Sequence, residues 1–151
     1  MNLFILRHGQ AEDYAASDSQ RRLTDVGRQQ TQELVDRQQA ELKSVTHIYA
    51  SPYIRAQQTA SIVAAVLDLP IITVPHLIPE AGVQAAVEFL SECEQQTPLC
   101  VSHQPLVGSF VNWLCGLEYG QYMMGTSALA SMSTDVLAQG CGELFWLRQP
   151  K

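Results

Sequence analysis

Residues 3–9 read Leu3-Phe4-Ile5-Leu6-Arg7-His8-Gly9, an apolar run that ends in two basic side chains and a glycine that lets the backbone turn. Four consecutive apolar residues are typical of a β-strand covered on both faces, as in a parallel sheet. A neutral imidazole can attack phosphorus, and a neighbouring guanidinium presents parallel donors to phosphate oxygens. Arg7 and His8 therefore indicate phosphoryl transfer at a strand end, although an Arg-His pair alone is nonspecific.

Three further apolar runs resemble the first and alternate with stretches of helical periodicity. The predicted strands after 3–6 cover 47–50, 71–74 and 99–101, and the predicted helices cover 25–42, 56–67, 83–94 and 106–114. Such alternation predicts a parallel sheet with helices on both faces, joined by right-handed crossovers.

The last part of the chain changes this rhythm. Residues 127–132 and 143–147 are apolar-rich and flank a turn at 139–142, with no helical segment between them. They predict two neighbouring antiparallel strands. The expected fold is an α/β, three-layer α/β/α sandwich with a mostly parallel mixed sheet, forming one domain over residues 1–151, a usual size for a domain.

Two later segments also place ionisable residues at strand ends. Ser51-Pro52 follows the second predicted strand and precedes a helix with Arg55 near its first turn, and Ser102-His103-Gln104-Pro105 follows the fourth strand. The carboxyl ends of parallel strands face one edge of the sheet, where open α/β sheets bind their ligands. We therefore expect these segments to meet Arg7 and His8 at that edge.

These segments resemble the three signatures of the histidine phosphatase superfamily, also called phosphoglycerate mutase-like. The chain is similar in particular to the compact SixA-type phosphohistidine phosphatases, over nearly its full length and notably at 15–19, 23–24, 105–108 and 126–128. The resemblance implies a phosphoglycerate mutase-like fold. It also implies removal of phosphate from a phosphohistidine through a covalent phosphohistidine intermediate on His8, without a cofactor or a metal.

The expected mechanism assigns a role to each motif. His8 attacks through one ring nitrogen while the other donates to a backbone carbonyl, and nearby positive charges keep the imidazole neutral. Arg7, Arg55 and a protonated His103 hold the phosphate oxygens. The Gln104 amide is a further candidate for phosphate binding.

The general acid has two candidates. Larger members of the superfamily use a glutamate after the third strand, and Glu80 lies in that region. SixA-type enzymes have an aspartate in the loop after the catalytic strand, which Asp18 matches. Each residue has an equal chance of being an ordinary turn residue. A phosphoramidate is a comparatively good leaving group once protonated, so a strong acid is less necessary than for an alkyl phosphate.

Composition restricts the partners. The formal net charge of −6 disfavours nucleic acid and anionic membrane surfaces, so a phosphate site must be a local positive pocket. Arg21 and Arg22 are equally consistent with rim charges and with a solvated pair. The histidines lack the spacing of a metal site. The cysteines show no Cys-x-x-Cys spacing, and the sequence has neither a leader nor an apolar run long enough to span a bilayer. These features predict a cytoplasmic protein.

Short connections indicate the kind of substrate. Residues 11–23 and 75–83 leave no lid domain to enclose a sugar phosphate. We therefore expect the substrate to be a phosphohistidine-containing protein, such as a signalling phosphotransfer domain or a phosphocarrier, with inorganic phosphate as a product. Two alternatives remain: a phosphomonoesterase for small metabolites, and a noncatalytic module that binds phosphohistidine.

Overall fold

The computed structural model describes residues 1–118 and 122–150. Its sheet has six strands in the order β3-β2-β4-β1-β5-β6, where β1 to β4 are parallel and β5 is antiparallel to both β1 and β6. The strands are β1 (Asn2–Arg7), β2 (His47–Ala50), β3 (Ile71–Thr73), β4 (Pro98–Ser102), β5 (Leu129–Thr134) and β6 (Gly142–Arg148). The prediction of a mixed, mostly parallel sheet is confirmed.

Helices occupy the intervals between the strands. They are α1 (Asp25–Arg37), α2 (Gln39–Leu42), α3 (Ile54–Leu67), α4 (Val83–Leu90) and α5 (Leu106–Cys115). The single helix expected over 25–42 is wrong, because the backbone leaves helical geometry at Gln38, with φ −100° and ψ 15°. The helix expected over 83–94 ends at Leu90 and continues as a 3-10 turn, Ser91–Cys93.

Alternating side chains of the central strands build two cores, one on each face of the sheet. Leu3 and Ile5 pack with residues of α4 and α5, whereas Phe4 and Leu6 pack with residues of α1 and α3. Each apolar side chain of this size stabilises the fold by about 1.5–3 kcal/mol when it is fully buried. The continuous apolar run of β1 therefore has the predicted cause, helices on both faces, and the three-layer arrangement is confirmed.

Strand β5 begins two residues later than predicted, and the reason bears on the site. Ser127 adopts a left-handed backbone with φ 59°, which ends regular pairing before Leu129. Its N–H donates to the His8 carbonyl at 3.1 Å, and its hydroxyl lies 2.8 Å from Thr31 Oγ1. These bonds hold the start of β5 against the end of β1, at the edge where β2 and β4 also end. Within residues 1–118 and 122–150, no helix combines the length and apolar character needed to cross a membrane.

Candidate active site

His8 lies at the centre of this edge, immediately after β1. Its N–H donates to the Ser102 carbonyl at 3.0 Å, and the side chain is 7% exposed. Its Nδ1 lies 2.7 Å from the Gly9 carbonyl oxygen, which can only accept a hydrogen bond. Nδ1 therefore carries the proton, and Nε2 presents a lone pair.

Gly9 is explained by close approach rather than by the turn expected from the sequence. Its φ is not positive, but a Cβ there would lie 2.9 Å from both the Gly27 carbonyl oxygen and Thr31 Oγ1. The chain after His8 can thus run against helix α1 only if this residue has no side chain.

The surroundings of His8 favour the neutral imidazole. Burial lowers its pKa from 6.5 to about 4. The hydrogen bond to Gly9 opposes this shift, whereas the positive charges of Arg55 and Arg7 add to it. The ring is neutral at pH 7, as expected for a nucleophile.

Arg55 is the second residue of α3 and is only 4% exposed. Its Nε lies 3.3 Å from His8 Nε2. Its terminal nitrogens donate to Asp18, at 2.7 Å to the backbone oxygen and 3.2 Å to the carboxylate Oδ2. The guanidinium therefore joins the imidazole to the loop that follows β1.

Arg7 approaches the same site from the last position of β1. Its Nη1 donates to the Met124 carbonyl at 2.9 Å, while its buried Nε has no hydrogen-bond partner among the described residues. Burial lowers the pKa of this guanidinium, and Arg55 lowers it further. An unsatisfied buried donor beside a second guanidinium is a suitable contact for an anion.

His103 follows β4, and its ring centroid lies 5.0 Å from that of His8. The side chain is 1% exposed, and its Nε2 lies 2.8 Å from Ser51 Oγ at the end of β2. Burial, together with the neighbouring His8 and Arg55, lowers the pKa of His103 to about 2. A buried ring beside cations is therefore neutral at pH 7 in the protein alone, whereas the sequence predicted a protonated His103 that holds phosphate.

Asp18 is half-exposed and lies between two arginines. Its Oδ1 accepts from Arg21 at 2.9 Å, and its Oδ2 accepts from Arg55. The hydrogen bond from Arg21 holds the pKa of the Asp18 carboxyl below its usual range, and Arg55 adds to this effect. Arg21 is therefore part of the rim of the site through Asp18, whereas Arg22 is exposed.

Glu80 reaches the site only through Tyr53. Both of its carboxylate oxygens lie 2.9 Å from the Tyr53 hydroxyl, which donates to them. The Tyr53 ring in turn packs edge-on against His103, with 5.1 Å between centroids, and against the Arg55 guanidinium, also at 5.1 Å. Glu80 is thus linked to His103 and Arg55 through an aromatic side chain.

The structure assigns the Gln104 side chain to a different contact from the one predicted. Its Oε1 accepts from the Gly108 N–H at 3.0 Å, in the first turn of α5. The side chain satisfies a helix amide that has no partner within the helix. Gln104 therefore caps this helix, and its role in phosphate binding stays a prediction.

Three side chains near the site were given no role by the sequence. Thr59 Oγ1 accepts from the Gly9 N–H at 3.0 Å and donates to the Arg55 carbonyl at 2.7 Å. Ser51 contacts His103, and Tyr53 contacts Glu80. Thr59 lies four residues after Arg55, one helical turn away, and Ser51 is a polar residue at a strand end. These two positions are the features of the sequence that could have indicated a role for Thr59 and Ser51.

The assembled groups are suited to binding a phosphoryl group and transferring it. The buried guanidinium of Arg55, the partly buried guanidinium of Arg7 and two neutral imidazoles converge from β1, α3 and β4. In the part of the chain that the structure describes, no group of three or more histidine, cysteine, aspartate or glutamate residues is placed to hold a metal ion.

Comparisons with known proteins agree with this arrangement. The family model for the histidine phosphatase superfamily (branch 1) matches residues 3–79. The chain is 36% identical to the phosphohistidine phosphatase SixA of Escherichia coli (strain K12), over 99% of this chain and 94% of the relative. A SixA homolog of Haemophilus influenzae is 34% identical, over 77% of this chain and 78% of the relative.

Solved structures give the same result. The protein histidine phosphatase SixA complexed with tungstate superposes with a TM-score of 0.87 at 34% identity, covering 99% of this chain and 97% of that one. Phosphoserine phosphatase from Entamoeba histolytica shares the fold, with a TM-score of 0.73 at 18% identity over 97% of this chain and 95% of that one.

The chain belongs to the histidine phosphatase superfamily. The resemblance to SixA-type enzymes is confirmed, and so are the phosphoglycerate mutase-like fold and the prediction of a phosphatase.

Proposed function

We propose that this phosphatase removes phosphate from a histidine on a partner protein, and that His8 is its nucleophile. The observation that carries the proposal is the bond from His8 Nδ1 to the Gly9 carbonyl, at 2.7 Å. It leaves Nε2 unprotonated and directed at the Arg55 guanidinium. A nucleophilic lone pair beside phosphate-binding donors is the arrangement that covalent phosphoryl transfer requires.

In the first half-reaction, the substrate phosphate takes over donors of Arg55 and Arg7. His8 Nε2 then forms a bond to phosphorus while the phosphorus–nitrogen bond of the substrate breaks, and the departing imidazole takes up a proton. Positive charge from the two guanidiniums stabilises the transferring oxygens. In the second half-reaction, water forms a bond to phosphorus, the bond to His8 breaks, and inorganic phosphate leaves.

Asp18 and Glu80 remain the candidates for delivering that proton, and their positions differ. Asp18 touches Arg55 directly, so it lies at the phosphate end of the site. The two arginines favour its ionised form, which is unsuited to donating a proton. Glu80 accepts a hydrogen bond from the Tyr53 hydroxyl. The leaving imidazole needs little assistance in either case.

A protein substrate is supported by the short segments around the site. Residues 8–24 and 74–82, which join strands to helices, contain only single 3-10 turns, at Asp18–Gln20 and Pro75–Leu77. Two relatives at 36% and 34% identity are named a phosphohistidine phosphatase and a homolog of it. We propose a phosphotransfer domain or a phosphocarrier as the partner, in the cytoplasm, and one catalytic domain over the chain.

The test uses a phosphocarrier protein labelled with radioactive phosphate on histidine. We expect wild type to release inorganic phosphate and to acquire acid-labile, alkali-stable label, and we expect His8→Ala to do neither. His76→Ala is the matched control, because His76 is exposed on the Pro75–Leu77 turn, and it should behave as wild type.

Two results would contradict the proposal in different ways. Faster turnover on a panel of sugar and nucleotide phosphates would identify a small-metabolite phosphatase. Binding of the phosphorylated carrier without label on His8 and without phosphate release would identify a noncatalytic binding module.

A further inference from the structure

Ser51 has a hydrogen-bonding environment that determines where the proton of His103 lies. Its side chain is completely buried, and its Oγ accepts from the Tyr53 N–H at 3.2 Å. The same oxygen lies 2.8 Å from His103 Nε2. Among the described residues, the Ser51 hydroxyl hydrogen has no acceptor within hydrogen-bonding distance other than His103 Nε2. This limits which of the two atoms is the donor.

Two arrangements are possible for a neutral His103, and they differ in the number of unsatisfied groups. If Nε2 carried the proton, it would donate to Ser51, the buried hydroxyl hydrogen would have no acceptor, and the Nδ1 lone pair would have no donor. If Nδ1 carries the proton, Ser51 donates to Nε2, and only the Nδ1–H lacks a partner. Buried polar groups without partners are costly, so the second arrangement is favoured.

We infer that Ser51 is a positioning residue that holds His103 as the neutral Nδ1–H tautomer, and that His103 binds phosphate through this N–H without taking up a proton. The inference rests on the proposed function, since it names how one residue of that site meets its ligand. The unpartnered Nδ1–H of His103 and the unpartnered Nε–H of Arg7 are then two buried donors in one site. Phosphate oxygens would satisfy both.

The charges around His103 are consistent with a neutral donor. Arg55 faces it from α3, and Tyr53 from the turn before that helix. Arg7 faces it from the end of β1, His8 from the position after it, and Asp18 from the loop that follows. The two guanidiniums disfavour a third cation, and only Asp18 favours one. Two neutral imidazoles therefore share the site, each with Nδ1 protonated. The Gly9 carbonyl holds His8, and the Ser51 hydroxyl holds His103.

Nitrogen NMR of protein labelled with ¹⁵N-histidine tests the inference directly. In wild type at pH 7, we expect the His103 ring to show a protonated Nδ1 and an unprotonated Nε2, and to keep that pattern when inorganic phosphate is added. A protonated Nε2 in the free protein, or two protonated nitrogens with phosphate bound, would overturn it. The NMR measurement needs no turnover. The His103 tautomer can therefore be refuted while phosphohistidine hydrolysis is observed, and it can be confirmed while hydrolysis is absent.

Variants separate positioning from simple structural support. Ser51→Ala should weaken inhibition by inorganic phosphate roughly tenfold, as expected for the loss of a buried hydrogen bond, and should change the His103 nitrogen pattern. Ser51→Thr keeps the hydroxyl and should restore both. Ser61→Ala, an exposed serine on α3, is the control and should change neither. A Ser51→Ala protein that is folded and retains the wild-type His103 spectrum would refute the assigned role.

Discussion

Arg55 Nε donates to His8 Nε2 across 3.3 Å, so the proposed nucleophilic lone pair is bonded to a cation before any substrate arrives. The same guanidinium holds the backbone and carboxylate of Asp18. In the proposed reaction, a phosphate must take over Arg55 before His8 can attack. Arg55 therefore orients the nucleophile in one state and binds the phosphate in the next.

Arg55→Ala should reduce kcat by about 10²–10³-fold, the usual effect of removing one charged donor from a transition state. Arg55→Lys keeps the charge but loses the planar fork, so its activity should fall between those of wild type and Arg55→Ala. Phosphohistidine hydrolysis measures the effect, and thermal unfolding checks that the fold survives. Arg28→Ala, on the exposed side of α1, is the control. Near-normal turnover by Arg55→Ala would remove this residue from the mechanism.

Asp18→Asn should strengthen inhibition by inorganic phosphate roughly two- to fivefold. The substitution removes a carboxylate that competes with phosphate for Arg55. The carboxylate is half-exposed, so we take about 0.2–1 kcal/mol, the range of solvent-screened ion pairs, for its contribution. Asp13→Asn is the matched control, because Asp13 is an exposed aspartate of the same loop.

Asp18→Asn and Glu80→Gln together distinguish the two candidates for the proton donor. If Asp18 supplies the proton, Asp18→Asn lowers turnover in addition to tightening phosphate binding. If Glu80 supplies it, Glu80→Gln lowers turnover and leaves phosphate inhibition as in wild type. Normal turnover in both variants indicates that the leaving imidazole is protonated by solvent.

The neutral state of His8 should make the free energy of unfolding depend on pH. In the unfolded chain His8 takes up a proton near pH 6.5, but in the folded protein its pKa is about 4. The unfolded state therefore binds more protons between these values, and stability falls as pH decreases through this window. The contribution of His8 is roughly 3 kcal/mol over the full window.

Denaturant unfolding of wild type and His8→Ala from about pH 5 to 6.5 measures this linkage. The wild-type slope should exceed that of the variant by up to about 1.4 kcal/mol per pH unit, the value for one proton. Equal slopes would mean that His8 titrates normally in the folded protein.

Thr59→Val should destabilise the protein by about 1–3 kcal/mol, because it leaves the buried Gly9 N–H without an acceptor. It should also lower activity, since Gly9 provides the carbonyl that holds His8. Ser61→Ala removes a hydroxyl on the same helix that contacts only the Gln57 carbonyl in the described structure, so its effect should be within about 0.5 kcal/mol. If both variants lost the same free energy of unfolding, Thr59 would stabilise only its own helix and not the Gly9 backbone.

The strands and the four basic residues could be predicted because each depends on local pattern. A continuous apolar run identifies a doubly covered strand, and a parallel sheet brings strand ends together wherever they lie in sequence. Arg7, His8, Arg55 and His103 follow from those two facts. The bond from Asp18 to Arg55 does not, because Asp18 lies in a loop whose path has no periodicity.

The remaining differences arise from burial and from local competition for hydrogen bonds. Sequence suggested a cation at His103, but its charge depends on how completely the ring is removed from water. The sequence predicts that the Gln104 amide contacts phosphate, but it does not reveal that Gln104 Oε1 accepts from the Gly108 N–H of the following helix. In the helix expected over 25–42, Leu34, Val35 and Leu42 are buried but Val26 is half-exposed, and the helix is interrupted at Gln38.

The backbone of His8 is anchored on both sides, to the Ser102 carbonyl through its N–H and to the Ser127 N–H through its carbonyl. Displacing it means parting β1 from both β4 and β5, in the middle of the sheet. Opening of that kind belongs to the cooperative unfolding of the whole protein rather than to a local fluctuation. Residues 12–18, by contrast, are exposed. In the proposed reaction, a docking protein would contact these exposed residues while the backbone of His8 stays fixed in the sheet.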